Sequence, residues 1–247
     1  MASRSNVVFT TIRVTIGLKS QIDRPQPIDK ARSMSSSRDI DPRLSASQVR
    51  CILLDMGKVL FDFDFKAFGQ RMRELTGVEF EPLRAAFTGE QLAVRYESGL
   101  LTDAEFYIEV CRRIGCRVSW ENFVAAWNSI FHQDPILPEH LIRTLALKAD
   151  LWVVSNTNKL HFDHLTSRYP FLGWFKGYVL SHEVGVLKPD ARIFQAALKR
   201  AEVEADRALF VDDQATNVAA ARDLGIDSFQ FLGPEQFVTE LQRRSLL

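Results

Sequence analysis

The stretch CILLDMG at residues 51–57 decides the fold of this chain. Its four apolar residues end on a single carboxylate, Asp55, and Gly57 follows two positions later. A short apolar run of this kind is typical of a strand that is buried on both faces of a sheet. In open α/β sheets, ligands bind beyond the carboxyl ends of such strands. Asp55 is therefore placed where an α/β protein carries out its chemistry.

The rest of the chain repeats the strand pattern after a long helical interval. Residues 66–136 hold apolar side chains at helical spacing and contain no convincing strand. Apolar runs then follow at 151–154, 178–180, 208–211 and 228–231, separated by helical patterns at about 158–168, 190–202, 214–224 and 234–243. This alternation predicts an α/β fold, a doubly wound parallel sheet with helices on both faces. We expect a core of residues 50–65 and 137–247, with 66–136 as a helical insert.

Composition narrows the class of partner. The 247 residues carry 31 Lys+Arg and 31 Asp+Glu, so no net charge draws the chain to nucleic acid or to a membrane surface, and we expect neither partner. No apolar stretch approaches the roughly 18 residues that a membrane span needs. The three cysteines lack a CxxC spacing, which indicates neither a disulfide framework nor a zinc site. A reducing, cytoplasmic location fits best.

Residues 1–49 differ from the rest of the chain. They include a serine-rich stretch at 34–38 and several prolines, which is typical of a disordered leader. Residues 1–33 are rich in Ser, Thr and Arg and poor in acids, so an organelle transit segment is the alternative.

Polar residues recur at the ends of the predicted strands. Ser155 and Asn156 follow one strand, and Asp212 and Asp213 follow another. The carboxyl ends of parallel strands share one edge of the sheet, so these residues are expected to converge on Asp55. Clustered carboxylates require a cation, and oxygen ligands favour a hard ion such as Mg²⁺.

A lysine completes the predicted site. Lys188 precedes Pro189, which we expect to start a helix and so to place the lysine just before a helix N-terminus. An ammonium, a hydroxyl and free backbone N–H groups favour a phosphate dianion. An aspartate beside them is placed to attack phosphorus.

Simpler structural roles are available for each residue of this set. A single aspartate at a strand end is often a turn residue, and one of Asp212 and Asp213 fits a helix N-cap. Asn217 is expected in the first turns of the following helix. His161 and His164 lie three positions apart on a predicted helix, but no third transition-metal ligand is evident, so we expect both on the surface.

Four segments resemble the motifs of the haloacid dehalogenase-like hydrolase superfamily, subfamily IA. They are residues 54–60, 153–158, 185–190, and 210–213 with Asn217, in that order. The resemblance implies a Rossmann-like core with a helical cap. It implies that Asp55 is the nucleophile, that Ser155, Asn156 and Lys188 bind phosphate, and that Asp55, Gly57, Asp212 and Asp213 hold Mg²⁺, with Asp213 the favoured direct ligand of the pair. Residues 55–65 and 155–161 look most like bacterial glucose-1-phosphate phosphatases.

Gly57 departs from the usual pattern of the family's phosphatases, which has a second aspartate there as general acid. Protonation of the leaving oxygen is often worth roughly 10²–10⁴-fold in rate. Three explanations are open: a substrate with a good leaving group, another acid such as Asp62, Asp64 or His161, or a protein that binds phosphate ligands and turns them over poorly. We expect Gly57→Asp to change the dependence of rate on the leaving group.

These features predict a Mg²⁺-dependent phosphatase of a small phosphorylated metabolite, such as a hexose 1-phosphate, in a monomer or a homodimer. Carbon–halogen hydrolysis by Asp55 is one alternative, although it has no dianion to neutralise and gains nothing from the paired acids. A non-catalytic phosphate-binding module without the general acid is the other.

Overall fold

The computed structural model describes residues 49–88 and 91–247, so the predicted leader lies, except for its last residue, outside the described residues. The strands are β1 Cys51–Leu54, β2 Phe61–Phe63, β3 Phe131–Pro135, β4 Asp150–Ser155, β5 Gly177–Leu180, β6 Ala208–Asp212 and β7 Asp227–Gln230. In the described ranges, five of them form one sheet in the order β5-β4-β1-β6-β7, and every pair in it is parallel.

The α-helices follow the strands in the pattern of an α/β protein. They are α1 Phe65–Thr76, α2 Phe80–Thr88, α3 Leu92–Glu97, α4 Asp103–Ile114, α5 Trp120–Asn128, α6 Glu139–Ala146, α7 Lys159–Arg168, α8 Ser181–Val184, α9 Ala191–Ala201, α10 Ala215–Asp223 and α11 Pro234–Arg243. The doubly wound parallel sheet predicted from the sequence is confirmed. No helix of the described ranges is both long enough and apolar enough to cross a membrane.

The central strand β1 is covered on both faces. Ile52 and Leu54 belong to one apolar layer, and Cys51 and Leu53 belong to the layer on the opposite side of the sheet. Side chains alternate between the two faces of a strand, so a strand covered on both sides contains no polar position. This requirement explains the unbroken apolar run before Asp55.

The second sheet is a two-stranded antiparallel ribbon of β2 and β3. It corrects the expectation that residues 66–136 are helical throughout, because β3 forms the last part of that segment. The exposed, polar sequence His132-Gln133-Asp134 gave no strand signal. Pairing with β2 decides the conformation of β3, since a strand in a solvated ribbon needs no apolar run.

The helical insert, defined here as α1 to α5, has an apolar interior made largely of rings. The indole of Trp127 is its centre and packs against Phe68 at 5.1 Å and Phe106 at 5.0 Å between ring centroids. Asp64 caps the N-terminus of α1, and a reciprocal capping box of Thr102 and Glu105 begins α4. These local signals fix where the helices begin, and the rings fix how they pack.

One helix boundary differs from expectation. Pro189 does not start α9; the helix begins at Ala191, and Asp190 caps it by accepting a hydrogen bond from the backbone N–H of Arg192. The Lys188–Pro189 peptide bond is cis. Lys188 therefore lies in a turn before the helix.

Candidate active site

Three strand ends and one turn meet at the carboxyl edge of the sheet. Leu54 pairs with Val211 in the register of β1 and β6, so the residues that follow them, Asp55 and Asp212, lie side by side. The Nζ atom of Lys188 lies between their carboxylates, 2.7 Å from Asp55 Oδ1 and 2.7 Å from Asp212 Oδ2. The predicted convergence of these distant segments is present in the structure.

Asp212 is fully buried, and both of its oxygens are used. Its Oδ1 accepts hydrogen bonds from the backbone N–H of Gln214 at 2.8 Å and from Asn217 Nδ2 at 3.0 Å. Its Oδ2 accepts from Asn217 at 3.1 Å as well as from Lys188. Asn217, which the sequence placed in the first turns of α10, therefore holds Asp212 in place.

Lys188 is positioned by residues of the neighbouring strand β4. Its ammonium also donates to the carbonyl of Val154 at 2.8 Å. Asn156 accepts from the backbone N–H of Lys188 at 2.7 Å and donates to its carbonyl at 3.0 Å. The side-chain amide of Asn156 thus fixes the backbone of the lysine turn.

Several polar groups at this edge have no partner among the residues that the structure describes. Asp55 Oδ1 is held by Lys188 and by the backbone N–H of Met56, whereas Asp55 Oδ2 makes no hydrogen bond. Ser155 is a buried residue whose hydroxyl has no hydrogen-bond partner in the described ranges, and the half-buried carboxylate of Asp213 is bonded only by its own backbone N–H. Polar atoms that other residues leave free at the carboxyl edge of a parallel sheet are typical of a ligand site.

The electrostatics of the cluster also favour a bound cation. Burial raises the pKa of Asp55; Lys188 opposes this effect, and Asp212 adds to it. Burial and the neighbouring Asp212 raise the pKa of Asp213 to about 6. Burial disfavours the charged form of Lys188, but Asp212 and Asp55 outweigh it and keep its pKa above the ordinary value. One ammonium therefore does not compensate three carboxylates.

The three carboxylates could hold a metal ion. Ligand atoms of Asp55, Asp212 and Asp213 all lie within 4.8 Å of one another, and in the described part of the chain no other such group of His, Cys, Asp or Glu is found. An all-oxygen set fits a hard divalent cation such as Mg²⁺. Asp213, whose carboxylate makes no hydrogen bond to another residue, is the acid of the doublet that is free to bind it directly.

The histidines of α7 are not a metal site, and the expectation that both lie on the surface is wrong for His161. That imidazole is buried, stacks on Trp127 at 4.7 Å between ring centroids, and hydrogen-bonds to the carbonyl of Trp127. Burial lowers its pKa to about 3, so it is neutral at physiological pH. Its role is to join α7 to the insert.

Gly57 lies beside an aromatic ring. A Cβ atom at this position would stand 2.9 Å from Cε1 of Phe63, so a larger residue requires that ring to move. Of the acids considered as replacements, Asp64 caps α1. Asp62 accepts a hydrogen bond from Lys58 and lies 3.2 Å from Nδ1 of His132. The structure thus has an aromatic side chain next to the position of the missing aspartate.

Sequence reasoning missed two residues near this edge. Ser181 follows β5, the strand next to β4, and its Oγ accepts a hydrogen bond from the backbone N–H of Thr157 at 3.0 Å. The same hydroxyl donates to the carbonyl of Glu97 in the insert at 2.6 Å. The rule that polar strand ends mark the site would have found Ser181. Glu97 lies in the insert and gave no comparable signal.

The fold and this site together define an α/β enzyme with a carboxylate-rich centre at the carboxyl edge of a parallel sheet. The model of the haloacid dehalogenase-like hydrolase family matches residues 49–225. The chain belongs to the haloacid dehalogenase-like hydrolase family.

Named relatives differ in how much of their length the chain covers. It is 31% identical over 189 residues to drimenol cyclase drtB of Aspergillus calidoustus, across 74% of this chain and 34% of that protein, so it spans about a third of that relative. It is 24% identical over 188 residues to the D-ribitol-5-phosphate phosphatase of Bacteroides thetaiotaomicron, across 74% of this chain and 91% of that protein.

Solved structures give the same family. The magnesium complex of the family enzyme bt-2542 from Bacteroides thetaiotaomicron matches with a TM-score of 0.68 and 26% identity, over 78% of this chain and 98% of that one. Its complex with magnesium and inorganic phosphate matches with a TM-score of 0.66 and 26% identity, over 74% and 93%. A 2-haloacid dehalogenase from Pseudomonas syringae, at 19% identity and a TM-score of 0.53, shares the fold over 74% and 86%.

Proposed function

We propose that this protein is a Mg²⁺-dependent phosphatase that hydrolyses a small sugar or polyol phosphate through an aspartyl-phosphate on Asp55. One observation carries the proposal: Lys188 holds one oxygen of Asp55 at 2.7 Å, while the other oxygen is unpaired beside two further carboxylates. Mg²⁺, when bound by Asp55, the Gly57 carbonyl and the acidic pair, supplies positive charge for the phosphoryl group. Charge neutralisation and positioning are most of what phosphoryl transfer needs.

The protein's own residues account for the remaining steps. The ammonium of Lys188 and the hydroxyl of Ser155 bind phosphate oxygens, and Asn156 positions Lys188 and lies beside the bound phosphate. The free oxygen of Asp55 attacks phosphorus, and the bond from phosphorus to the leaving oxygen breaks. A water molecule then attacks phosphorus, which frees the Asp55 carboxylate and releases inorganic phosphate. The leaving oxygen takes up a proton from solvent as it departs, and the attacking water returns one proton to solvent in the second step, so no net proton is consumed.

The lack of an aspartate at position 57 narrows the substrate. Phe63 occupies the adjacent space, and Asp64 and His161 have structural roles. We therefore favour a leaving group that needs little help from a protein acid, such as the anomeric oxygen of a sugar 1-phosphate. The named D-ribitol-5-phosphate phosphatase supports a polyol phosphate as a second substrate class.

In this proposal residues 66–136, with their helices and the strand β3, form a cap over the core of residues 50–65 and 137–247. The ribbon of β2 and β3 is the connection between the two parts. Closure of the cap would exclude bulk water from the aspartyl-phosphate. The proposed location is the cytoplasm, and the proposed assembly is a monomer or a homodimer.

The test is a screen of phosphorylated metabolites with and without Mg²⁺, run on the wild type and on Asp55→Asn. We expect turnover of at least one sugar or polyol phosphate, its loss on chelation, and its abolition by the substitution. Glu121→Gln, at an exposed position of the insert, is the matched control and should keep full activity. Absence of turnover of every compound would contradict the proposal and favour a phosphate-binding module.

A further inference from the structure

Lys58 follows Gly57 in the turn after Asp55, and none of the proposed catalytic steps uses it. Its backbone has a φ of +58°, a left-handed conformation that is unfavourable for a residue with a Cβ atom. The backbone N–H of Lys58 donates to the carbonyl of Phe61 at 2.7 Å, which closes the turn. Non-glycine residues in this conformation persist only where the surrounding structure requires them, and they are common at active sites. The turn thus fixes Lys58 one residue beyond the carbonyl that is proposed to bind Mg²⁺.

The ammonium group of Lys58 is held in one place by the ribbon. It donates to the carboxylate of Asp62 and, at 2.7 Å, to the backbone carbonyl of Phe63. The other oxygen of Asp62 lies 3.2 Å from Nδ1 of His132 on the neighbouring strand. An ammonium has three N–H donors, so one donor of Lys58 has no acceptor among the described residues. The side chain is 41% exposed, so a bound molecule can approach this free donor.

A chain of contacts places this ammonium beside the proposed site. Its Nζ atom lies 4.8 Å from the centroid of the Phe63 ring, and the same ring stands 2.9 Å from the position of a Cβ atom on Gly57. The charge of the ammonium also acts on Asp213: burial and Asp212 raise the pKa of that carboxyl group, and Lys58 is one of the groups that lower it. One aromatic ring therefore separates the ammonium from Gly57, and its field reaches the carboxylates.

We propose that the Lys58 ammonium stabilises the negative charge that develops on the leaving oxygen when Asp55 attacks phosphorus. In an in-line displacement the leaving oxygen lies opposite the attacking one, so it points away from the strand end that carries Asp55. The half-exposed turn and the ribbon remain to contact it, and Lys58 has the free donor. As the bond from phosphorus breaks, its electron pair goes to the leaving oxygen, which takes a proton from solvent. Lys58 transfers no proton and acts as a fixed positive charge.

The inference rests on the proposed phosphatase function and adds to it a group that compensates for the glycine at position 57. A charge that stabilises an oxyanion matters most when the leaving oxygen is basic. It matters least when the leaving group itself delocalises the negative charge. Lys58 is therefore expected to extend the range of substrates towards phosphate esters of less acidic alcohols.

The experiment compares phenyl phosphate with 4-nitrophenyl phosphate, two substrates of similar shape, through kcat/KM with Mg²⁺. The nitro group draws negative charge away from the leaving oxygen. Lys58→Met, which removes the charge, should lower kcat/KM for phenyl phosphate by about 10–100-fold and for 4-nitrophenyl phosphate by less than about fivefold. The substrate that the metabolite screen identifies should behave like phenyl phosphate. Lys58→Arg keeps the charge and should retain most of the activity, and the exposed Lys148→Met should behave like the wild type.

A second measurement excludes a role in shaping the metal site. Removal of a positive charge near Asp213 does not disfavour a cation, so Lys58→Met should bind Mg²⁺ at least as tightly as the wild type in calorimetry. Weaker binding would show that Lys58 acts through the turn that carries the Gly57 carbonyl, and would overturn the proposal.

The kinetic outcomes separate this inference from the function on which it rests. Equal losses on both aryl phosphates, or unchanged kcat/KM for the unactivated esters, would overturn the role of Lys58 and leave the phosphatase intact. No turnover of any phosphate ester by the wild type would remove both.

Discussion

The carboxyl edge of the sheet and the interior of the helical insert are both buried, but different interactions stabilise each of them. At the edge, one ammonium lies 2.7 Å from each of two carboxylates, and hydrogen bonds fix each partner. In the insert, aromatic rings around Trp127 pack at centroid distances of 5.0 and 5.1 Å to Phe106 and Phe68. Charge pairing holds the side chains at the edge in place, and the complementary shapes of packed rings hold the insert together.

This difference indicates that the two regions have different roles. Buried charges are costly unless they are paired, so a protein retains such a network where chemistry needs it. Ring packing tolerates exchanges between hydrophobic residues of similar volume, whereas a buried charge network is disrupted by the loss of any one partner. Changes at the edge should therefore affect catalysis, and changes in the insert should affect stability or substrate choice.

The largest effect is expected from Lys188→Met at the edge. Removing the ammonium leaves Asp55 and Asp212 adjacent without compensation and deletes a phosphate ligand. We expect kcat/KM to fall by about 10³-fold. The metal-free protein should lose about 3–5 kcal/mol of unfolding free energy. Lys148→Met, at an exposed lysine before β4, is the control; steady-state kinetics and urea titrations would measure both variants. Normal activity in Lys188→Met would show that charge at the edge is dispensable.

Trp127→Ala tests whether ring packing around this indole stabilises the insert. Truncation of a buried tryptophan costs about 3–5 kcal/mol, which urea unfolding would measure. The half-exposed Trp120 is the control, and Trp120→Ala should cost less than about 1 kcal/mol. Similar losses for the two variants would argue against a shape-dependent interior centred on Trp127.

Asp213→Asn separates metal binding from folding at the edge. We expect the Mg²⁺ concentration for half-maximal activity to rise roughly 10–100-fold. The folded pKa of Asp213 is raised, so its charge costs stability once the pH exceeds the ordinary value of a carboxyl group. The metal-free variant should therefore be at least as stable as the wild type at pH 7.5. A destabilised variant with unchanged Mg²⁺ dependence would contradict this assignment.

His161→Gln tests the junction of the two regions through pH. The folded imidazole has a pKa of about 3 and the unfolded one about 6.5, so between these values only the unfolded chain binds the proton. This residue therefore removes stability as the pH falls through that window, by about 2 kcal/mol at pH 5. His161→Gln should have a correspondingly shallower acid slope in urea titrations. Identical slopes for the wild type and His161→Gln would contradict the burial of a neutral imidazole.

The smallest effect is expected from Gly57→Asp, and it concerns how the rate depends on the leaving group. Phe63 stands 2.9 Å from the new Cβ atom, so the added carboxyl group cannot reach a productive position without displacing the ring. We expect at most about a tenfold change in the ratio of rates on alkyl and aryl phosphates, and a larger change when Phe63→Ala is combined with it. A ratio that stays constant in both variants would count against a missing general acid as the reason for the leaving-group preference.

Most of the core could be predicted from the sequence because its strands are buried on both faces. Residues 51–54 and 208–211 have no polar position, and their acidic ends mark the edge directly. The strand β3 escaped prediction because its conformation comes from pairing with β2 and not from its own pattern. The start of α9 was misplaced because Asp190 caps the helix beyond Pro189.

The site could be predicted in part for the same reason. Strand ends gave Asp55, Ser155 and Asp212, whereas the way they are held in place depends on contacts across the sheet. The amide of Asn156 is bonded to the backbone of Lys188, 32 residues away, and no local pattern encodes that pair. Glu97 approaches the edge from the insert, so its position depends on how two separately packed regions meet.

Chemical trapping tests the central claim most directly. Wild-type protein would be quenched in acid during turnover, with Mg²⁺, of the sugar or polyol phosphate that the metabolite screen identifies as a substrate, reduced with borohydride, and mapped by mass spectrometry. An aspartyl-phosphate is reduced to homoserine, so we predict homoserine at position 55 when substrate and Mg²⁺ are both present. When substrate or Mg²⁺ is left out, Asp55 should be recovered as unmodified aspartate. Turnover with unmodified Asp55, or homoserine at Asp212 or Asp213 instead, would contradict the account.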